Sequence, residues 1–418
     1  MADRDFRYLL AAFATSSMGT KVAREAVPLT AVLVLQATPG ELSLIGVAST
    51  LPVLVLGLMA GAWLDRRRRR PVMIASDLLR FAVLMSVPLA AWFGLLGLTQ
   101  LVVVVALVTT LSLFFDIADQ AHLPSLVDRV VLLRANSQRE TVDATAEVIG
   151  PPIGGMLVQI ITAPMTLLIH ALSYLLSAIL LLRIRRPEAA VAIDRQQRRD
   201  LWGDIRGGFR ALWQQPLLRP LLIARGLRTF FGAMMGPFYV LYVIQHLHVS
   251  PGELGFIIAA GGLASLLGTF LVRWTAGWLP VGPGIIAAFA VKTLGLALLP
   301  TAGLLPVVAI PLLIAQQILQ DGVTSYFAIH ERHLRQSLMP QEQLARVSAT
   351  VRVVNDGPVP LGAAIAGLLV PVLGLDGVLW LAVGGYSLSA LVALCSPVRH
   401  LRAAPASELA QAATQVSA

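Results

Sequence analysis

Gly61-Ala-Trp-Leu-Asp-Arg-Arg-Arg-Arg-Arg-Pro71 separates two long apolar runs, residues 42–64 and 71–98. Five consecutive arginines cannot lie in hydrocarbon, because placing each at the centre of a membrane helix costs roughly 2.5–3.5 kcal/mol. The run is therefore predicted to be a loop at the membrane surface. Because cytoplasmic loops carry an excess of positive charge, the loop is predicted to face the cytoplasm.

The composition is typical of a helical membrane protein. Of the 418 residues, 56% are hydrophobic and 13% are charged, whereas about a quarter of the residues of a soluble domain are charged. Apolar runs of about 20 residues recur along the whole chain, as expected of helices that cross a bilayer. The net charge of +9 does not indicate a nucleic-acid partner, because the arginines concentrate in alternate loops.

Twelve membrane spans are predicted from the apolar runs. They cover about residues 7–36, 42–64, 71–97, 99–122, 139–161, 164–184, 217–246, 252–273, 282–301, 304–331, 346–373 and 376–397. The loops alternate in charge: those at 37–41, 162–163, 247–251, 302–303 and 374–375 have no Lys or Arg, and those at 65–70, 123–138, 185–216 and 332–345 are rich in Arg. We therefore expect a multi-pass protein of the inner cell membrane with both termini in the cytoplasm.

The sequence offers no signal for a metal, a cofactor or ATP hydrolysis. Cys395 is the only cysteine, which excludes an internal disulfide and a thiolate metal cluster. His330-Glu331-Arg332-His333 has the wrong spacing for a His-Glu-x-x-His zinc site, and no phosphate-binding Gly-x-x-x-x-Gly-Lys-Ser/Thr loop is present. The N-terminus is not predicted to be a cleavable signal, because its apolar stretch is too long and contains charges. We expect no cofactor.

An internal repeat divides the chain in two. Three matches share nearly one offset of 211 to 212 residues: Pro39-Gly40-Glu41-Leu42 with Pro251-Gly252-Glu253-Leu254, His122-Leu123 with His333-Leu334, and Gly150 and Gly155 with Gly362 and Gly367. A repeat of six spans preserves orientation, so the halves are predicted to be related by an axis along the membrane normal.

This repeat predicts four segments of the chain. Residues 1–184 form an N-terminal six-helix half and residues 217–398 a C-terminal six-helix half. Residues 185–216 form a cytoplasmic linker, in which apolar residues between Leu201 and Trp213 recur at the spacing of an interfacial helix. The tail, 399–418, is expected to be disordered. The predicted fold class is all-α and integral to the membrane.

Two motifs in these spans resemble the major facilitator superfamily. That family's loop between spans two and three reads Gly-x-Leu-Ala-Asp-Arg-x-Gly-Arg-Arg, and Trp63 and Arg68 replace its Leu and second Gly here. The family's exporter motif in span five reads Gly-x-x-x-Gly-Pro-x-x-Gly-Gly, and Ala146 replaces its leading glycine. The matching residues are Gly61, Asp65, Arg66, Arg69 and Arg70 in the loop and Gly150, Pro151, Gly154 and Gly155 in the span.

Finer features are similar to the branch of this family that includes macrolide-efflux and enterobactin-export proteins. They are the stretches 76–80 in span three, 122–127 after span four and 134–136. The resemblance implies a transporter of twelve helices. One feature departs from it: many proton-coupled drug exporters carry an arginine inside span four, and residues 99–121 contain none.

Lys21, Arg24 and Glu25 lie near the middle of the first predicted span. Spacings of three and four residues place them on one face of a helix. A charge inside a span is costly unless it is paired or faces water, and facilitator substrates bind at this depth. We interpret the three residues as part of the substrate and proton pathway. The alternative is an ion pair that fixes this helix to a neighbour.

The second half has its own polar candidates for the pathway. Lys292 lies in the middle of a span, where it faces the cavity, snorkels or pairs with a carboxylate. Gln317 and Asp321 belong to a polar patch on one face of span ten. Because a buried carboxylate without a partner can bind and release a proton near neutral pH, Asp321 and Glu25 are the candidate protonation sites. Permanent pairing with a cation is the alternative for both.

The resemblance also implies a charged gate on the cytoplasmic side. In the family, an acid of span four and the arginine loop close this side when the cavity faces outward. The candidates here are Gly61, Asp65, Arg66, Arg69 and Arg70 of the loop with Asp119 or Asp116 of span four, and Asp143 and Glu147 of span five could join them. Gly150, Pro151, Gly154 and Gly155 either bend span five to favour export or allow close helix packing.

These features together predict a secondary active transporter and no enzymatic activity. We expect it to export small amphipathic molecules, such as a drug, an antibiotic or a siderophore, by alternating access in exchange for protons. The sign of the substrate's charge stays open. The expected partners are the substrate, the proton gradient and the lipid bilayer, and we expect a monomer. A lipid or lysolipid transporter of the same fold and a membrane sensor that does not transport are the alternatives.

Overall fold

The computed structural model describes residues 2–64, 67–127, 129–186, 201–275 and 279–401, and within them it is helical and without β-strands. The all-α prediction is therefore confirmed for these residues. Asp65 and Arg66 of the arginine loop lie outside the described residues. So do residues 187–200 of the predicted linker and 402–418 of the predicted disordered tail.

Sixteen α-helices are found in the described residues. In chain order they are α1 Ala2–Ala23, α2 Ala26–Leu29, α3 Pro39–Ala48, α4 Leu51–Leu64, α5 Arg69–Trp92, α6 Leu98–Leu126, α7 Arg129–Ile161, α8 Ala163–Leu182, α9 Leu201–Gln214, α10 Leu218–Ala233, α11 Gly236–Leu241, α12 Pro251–Thr275, α13 Val281–Leu304, α14 Ala309–Leu338, α15 Gln341–Asp356 and α16 Pro358–Leu394. The helix α9 occupies the stretch of the linker with helical apolar spacing.

The chain forms two compact units. The first unit comprises Met1–Arg198, Gly236–Ala259 and Ala363–Leu375, and the second comprises Arg199–Met235, Ala260–Gly362 and Asp376–Ala418. In the first unit α5 packs on α6 and α8, and α1 packs on α7 and α8. In the second unit the main pairings are α13 with α14 and α9 with α15.

Ten helical stretches of the described residues are long and apolar enough to cross a membrane, which makes this a multi-pass membrane protein. The longest of them, Arg346–Leu394, contains Gly374, where φ is 70° and ψ is 172°. Essentially only glycine adopts this conformation. The backbone therefore leaves the helix at Gly374, where the sequence predicts a loop at residues 374–375.

Two arginine-rich segments that the sequence predicts as loops, 123–138 and 332–345, are mostly helical. The helix α6 continues to Leu126 and α7 already begins at Arg129, while α14 continues to Leu338 and α15 begins at Gln341. Leu123, Leu126 and Ala135 are buried in the apolar core of the first unit. Arginines thus mark where the chain leaves hydrocarbon, but the helix continues because its apolar side chains still pack.

The same local geometry occurs twice, 212 residues apart. A π-helical turn at Thr30–Val34 has its counterpart at Tyr242–His246. Each is followed by a residue with positive φ, Gln36 at 50° and His248 at 56°. A capping box then starts the next helix, in which Thr38 and Glu41, or Ser250 and Glu253, bond each other's backbone N–H groups. The sequence repeat therefore encodes a repeated local structure.

Candidate functional site

Glycines on α7 let the backbone of α1 approach closely. A β-carbon on Gly154 would overlap the carbonyl oxygen of Val22, and one on Gly150 would overlap the Lys21 side chain. Gly155 lies in the same way against the Pro251 carbonyl. The helix α7 runs without interruption through Pro151 and Pro152. The glycines of this motif therefore form a surface for close helix packing, and α7 continues through the motif.

This close approach places two basic residues of α1 and the turn after it against acids of α7. Lys21 forms an ion pair with Glu147, and its Nζ lies 3.7 Å from the Asp143 carboxylate. Arg24 donates two hydrogen bonds to Glu147, at 2.6 and 2.9 Å. Ser17 donates to Asp143 at 2.6 Å. Two cations and two anions balance one another in this cluster, which we call the α1–α7 ion-pair network.

The network joins residues that the sequence assigns to different roles. Asp143 and Glu147 are predicted as members of the cytoplasmic gate, but they contact the predicted pathway residues Lys21 and Arg24. The prediction that Glu25 shares their helical face is wrong, because α1 ends at Ala23 and Arg24 and Glu25 form a turn before α2. The Glu25 carboxylate has no hydrogen bond or ion pair in the part of the chain that the structure describes, although its backbone carbonyl accepts from Leu29 at 2.9 Å.

A second charged pair of the first unit was not recognised from the sequence as a site. Arg80 donates a hydrogen bond to Asp77 one turn earlier on α5, and both residues are almost completely buried. The Arg80 guanidinium lies 4.2 Å from the ring centres of Phe115 and Tyr174, between α6 and α8. It also donates to Ser112 of α6 at 3.2 Å. The signal that could have found this pair is two opposite charges three residues apart inside an apolar span.

Span four contains no arginine, but the guanidinium group of Arg80 on α5 lies against it. No arginine occurs between residues 99 and 121, yet the guanidinium of Arg80 on α5 contacts Ser112 and Phe115 of α6. Arginine is suited to this position because its planar group stacks on aromatic rings and hydrogen-bonds at its edge. A cation thus lies against span four although it belongs to the neighbouring helix.

A chain of side-chain contacts runs from the Asp77–Arg80 pair to α1. The ring of Tyr174, against which Arg80 stacks, lies 4.5 Å from that of His170. The Nε2 atom of His170 is 3.3 Å from the hydroxyl of Thr20, the residue before Lys21. These contacts lead from the Asp77–Arg80 pair to Thr20 of α1.

The gate candidates that the structure describes contact different partners. Asp119 is buried and pairs with Arg139 of α7, whereas Asp116 is exposed. Arg70 donates to the carbonyl groups of Leu181 and Leu182 at 3.0 and 3.1 Å. Arg69 begins α5. Gly61 has open space around it. The gate itself stays a prediction, since Asp65 and Arg66 are not described.

The pathway candidates of the second unit lie on facing helices. Lys292 of α13 is buried, and the charges of Arg228 and Asp321 act on it. Gln317 and Asp321 of α14 both lie against Gly261 of α12. Arg225 of the neighbouring α10 pairs with Glu331 of α14.

The comparisons with known proteins agree with this architecture. The sequence profile of the Major Facilitator Superfamily matches residues 9–330. The multidrug efflux pump Tap of Mycolicibacterium fortuitum is 31% identical over 347 residues, which are 80% of this chain and 82% of that protein. Macrolide efflux protein A of Streptococcus pyogenes is 20% identical over 371 residues, 86% of this chain and 88% of that protein.

Solved structures show the same fold. A bacterial homologue of the iron transporter ferroportin, in an inward-facing state, aligns with a TM-score of 0.74 at 15% identity, covering 94% of this chain and 98% of that one. The chain belongs to the Major Facilitator Superfamily. It is therefore a membrane transporter and not an enzyme, and the predicted resemblance is confirmed.

The packing of α1 on α7 can be tested at Gly154. Gly154→Ala is expected to lower the melting temperature, because its β-carbon would meet a backbone oxygen that cannot rotate away and such overpacking costs roughly 1–3 kcal/mol. Thermal unfolding in detergent, followed by tryptophan fluorescence, measures this. Gly57→Ala in α4, which meets open space, is the matched control and should melt no lower than the parent protein. Equal melting temperatures for the two variants would contradict the packing described.

Proposed function

We propose that this chain is a secondary active transporter that exports small amphipathic organic molecules by alternating access in exchange for protons. In this proposal it crosses the inner membrane twelve times in two six-helix halves, with both termini in the cytoplasm. The two parts of α16 on either side of Gly374 cross separately, and the first crossing runs from α1 through the π-helical turn. The relatives named as efflux pumps support export of drugs or antibiotics.

The observation that carries this proposal is the α1–α7 ion-pair network. Lys21, Arg24, Asp143 and Glu147 are charged residues of membrane helices, and they pair across the contact of two helices. Charges at such positions are costly, and in transporters they mark ion and substrate pathways. A substrate or proton that competes for Glu147 would loosen the contact between α1 and α7 and so couple binding to helix movement.

Glu25 and Asp321 are the proposed protonation sites. Glu25 follows Arg24 directly, and its carboxylate makes no hydrogen bond or ion pair with other described residues, so it is available to bind and release a proton. Asp321 lies on α14 within electrostatic range of Lys292. One carboxylate in each predicted half then exchanges a proton as the cavity changes sides. Lys292 and Gln317 contribute to the substrate pathway in this proposal.

The cytoplasmic gate is proposed as predicted from the sequence. The arginine loop, with Asp65, Arg66, Arg69 and Arg70, would close this side together with an acid of α6. Asp119 is the better candidate, because its buried pair with Arg139 already ties α6 to α7. Separation of the loop from α6 would then open the cavity to the cytoplasm.

Transport in inverted membrane vesicles with an imposed pH gradient tests the proposal. We expect saturable, gradient-dependent uptake of at least one of three probes, namely a cationic dye, a macrolide or a siderophore, accompanied by proton flux. Glu25→Gln and Asp321→Asn should each lower the proton flux by about tenfold or more, as removal of a proton-transfer group does in other systems. The matched control is Asp356→Asn, which removes an exposed carboxylate 3.6 Å from Arg352 and should leave the flux unchanged.

Two results would contradict the proposal. Uptake of every probe that does not respond to the gradient would exclude secondary active transport of these compounds. Uptake that responds to the gradient without proton flux, and with unchanged rates in both carboxylate variants, would exclude proton exchange through Glu25 and Asp321.

The Asp77–Arg80 pair is proposed to take part in coupling, because it places a buried carboxylate and an arginine beside span four. Asp77→Asn should abolish uptake driven by the pH gradient while exchange of labelled for unlabelled substrate, without a gradient, continues. Asp77→Glu keeps the carboxylate and should restore part of the driven uptake. If the pair has a purely structural role, Asp77→Asn should instead abolish both driven uptake and exchange.

A further inference from the structure

A groove of about 630 Å³ lies where α4, α5 and α6 meet, away from the α1–α7 ion-pair network. Its lining comprises Trp63, Arg67, Arg68, Pro71, Val72, Ala75, Ser76, Leu79, Leu111 and Phe114. On α5 the lining residues extend from Pro71 to Leu79, about 12 Å along the helix axis. The groove therefore has a basic end at the arginine loop and an apolar floor along membrane helices.

The basic end is built from an aromatic ring and two guanidinium groups. The Arg67 guanidinium lies 5.4 Å from the centre of the Trp63 ring. The Trp63 ring in turn meets Phe114 edge to face, with ring centres 5.4 Å apart. Arg67 and Arg68 are exposed, and neither has a carboxylate partner in the described part of the chain. Their charges are available to a ligand.

The neighbouring arginines are used differently. Arg70 donates hydrogen bonds to the carbonyl groups of the last two residues of α8. Arg69 and Arg70 also match the family's loop motif, whereas Trp63 and Arg68 stand at two of the positions where the loop departs from it. The groove is thus formed largely by residues that the predicted gate does not require.

The apolar floor carries large apolar side chains that are exposed. Leu79 is 52% exposed and Trp63 is 46% exposed, although both belong to helices of apolar membrane segments. Apolar side chains exposed on such helices contact lipid chains. A ligand of this groove would therefore meet two positive charges at the basic end and apolar side chains along the floor.

We propose that the groove binds an anionic phospholipid of the phosphatidylglycerol type. Its phosphate accepts hydrogen bonds from Arg67 and Arg68, because the guanidinium fork fits phosphate oxygens. The Trp63 ring lies at the level of the head group, where tryptophan is favoured. One acyl chain lies over Leu79, Leu111 and Phe114.

Charge selects the class of lipid. A zwitterionic head group carries an amine that needs an acidic partner, and no Asp or Glu is among the described residues that line the groove. Basic pockets between membrane helices recognise anionic head groups in this way. The proposal does not depend on which molecule the transporter exports, since lipid binding is measured without substrate.

Native mass spectrometry tests the proposal on the full chain. Protein in mixed micelles with equal amounts of phosphatidylglycerol and phosphatidylcholine should retain the anionic lipid preferentially. Each arginine near a membrane surface changes the affinity for anionic lipid by about fivefold, so R67Q/R68Q should lose most of the preference. The control R206Q/R352Q removes two exposed arginines outside the groove and should keep it. Inorganic phosphate should not displace the lipid.

Four outcomes of this experiment would overturn the proposal. They are equal retention of both lipids by the parent protein, an unchanged preference in R67Q/R68Q, the same loss in the control, and displacement by inorganic phosphate. The last would indicate a phosphate site without a lipid chain.

R68G, which restores the glycine usual in the family, provides a second variant if the double variant does not fold. It should weaken the preference by about fivefold, as expected for one arginine. An unchanged preference in R68G would equally contradict the proposal.

Discussion

The contact of α1 with the glycines of α7 is the constraint on which the first unit depends. Because Gly150 and Gly154 carry no side chains, the backbone at Lys21 and Val22 lies directly against α7. Because the two helices are so close, Lys21 and Arg24 reach Glu147, which precedes Gly150 by about one turn of α7. The family's exporter motif and the charged residues of the first span are therefore parts of one structure.

This arrangement explains how charges persist inside an apolar bundle. Removing a charge from water is costly, and a buried pair offsets that cost only when its geometry is good and its remaining donors are satisfied. Here two cations meet two anions, and Ser17 donates to the same Asp143 oxygen that lies near Lys21. The Asp77–Arg80 pair on α5 is enclosed by two aromatic rings, and Ser112 accepts a further hydrogen bond from Arg80. Removing one partner of a buried pair is strongly destabilising, because it leaves an uncompensated charge.

Sequence patterns predicted the family, the helical fold and the local repeat, because each rests on signals that survive without tertiary context. The arginine loop, the Pro-Gly-Glu-Leu stretches that begin at Pro39 and Pro251 and the glycines of α7 are such signals. The extension of α6 and α7 through the arginine-rich segment was not predicted, since it depends on the packing of Leu123 and Leu126. The pairing of Lys21 with Glu147 also escaped prediction, because residues 126 positions apart meet only through the fold. The end of α1 at Ala23, which separates Glu25 from this network, likewise has no clear local signal.

A double-mutant cycle at Lys21 and Glu147 tests the central claim most directly. The free energies of unfolding of Lys21→Met, Glu147→Gln and the double variant are compared with that of the parent protein in the same detergent. If the two residues form the pair described, the double variant should lose less stability than the sum of the single losses, with a coupling of roughly 1–3 kcal/mol. Losses that add to within about 0.5 kcal/mol would show that the two residues act independently and would contradict the account.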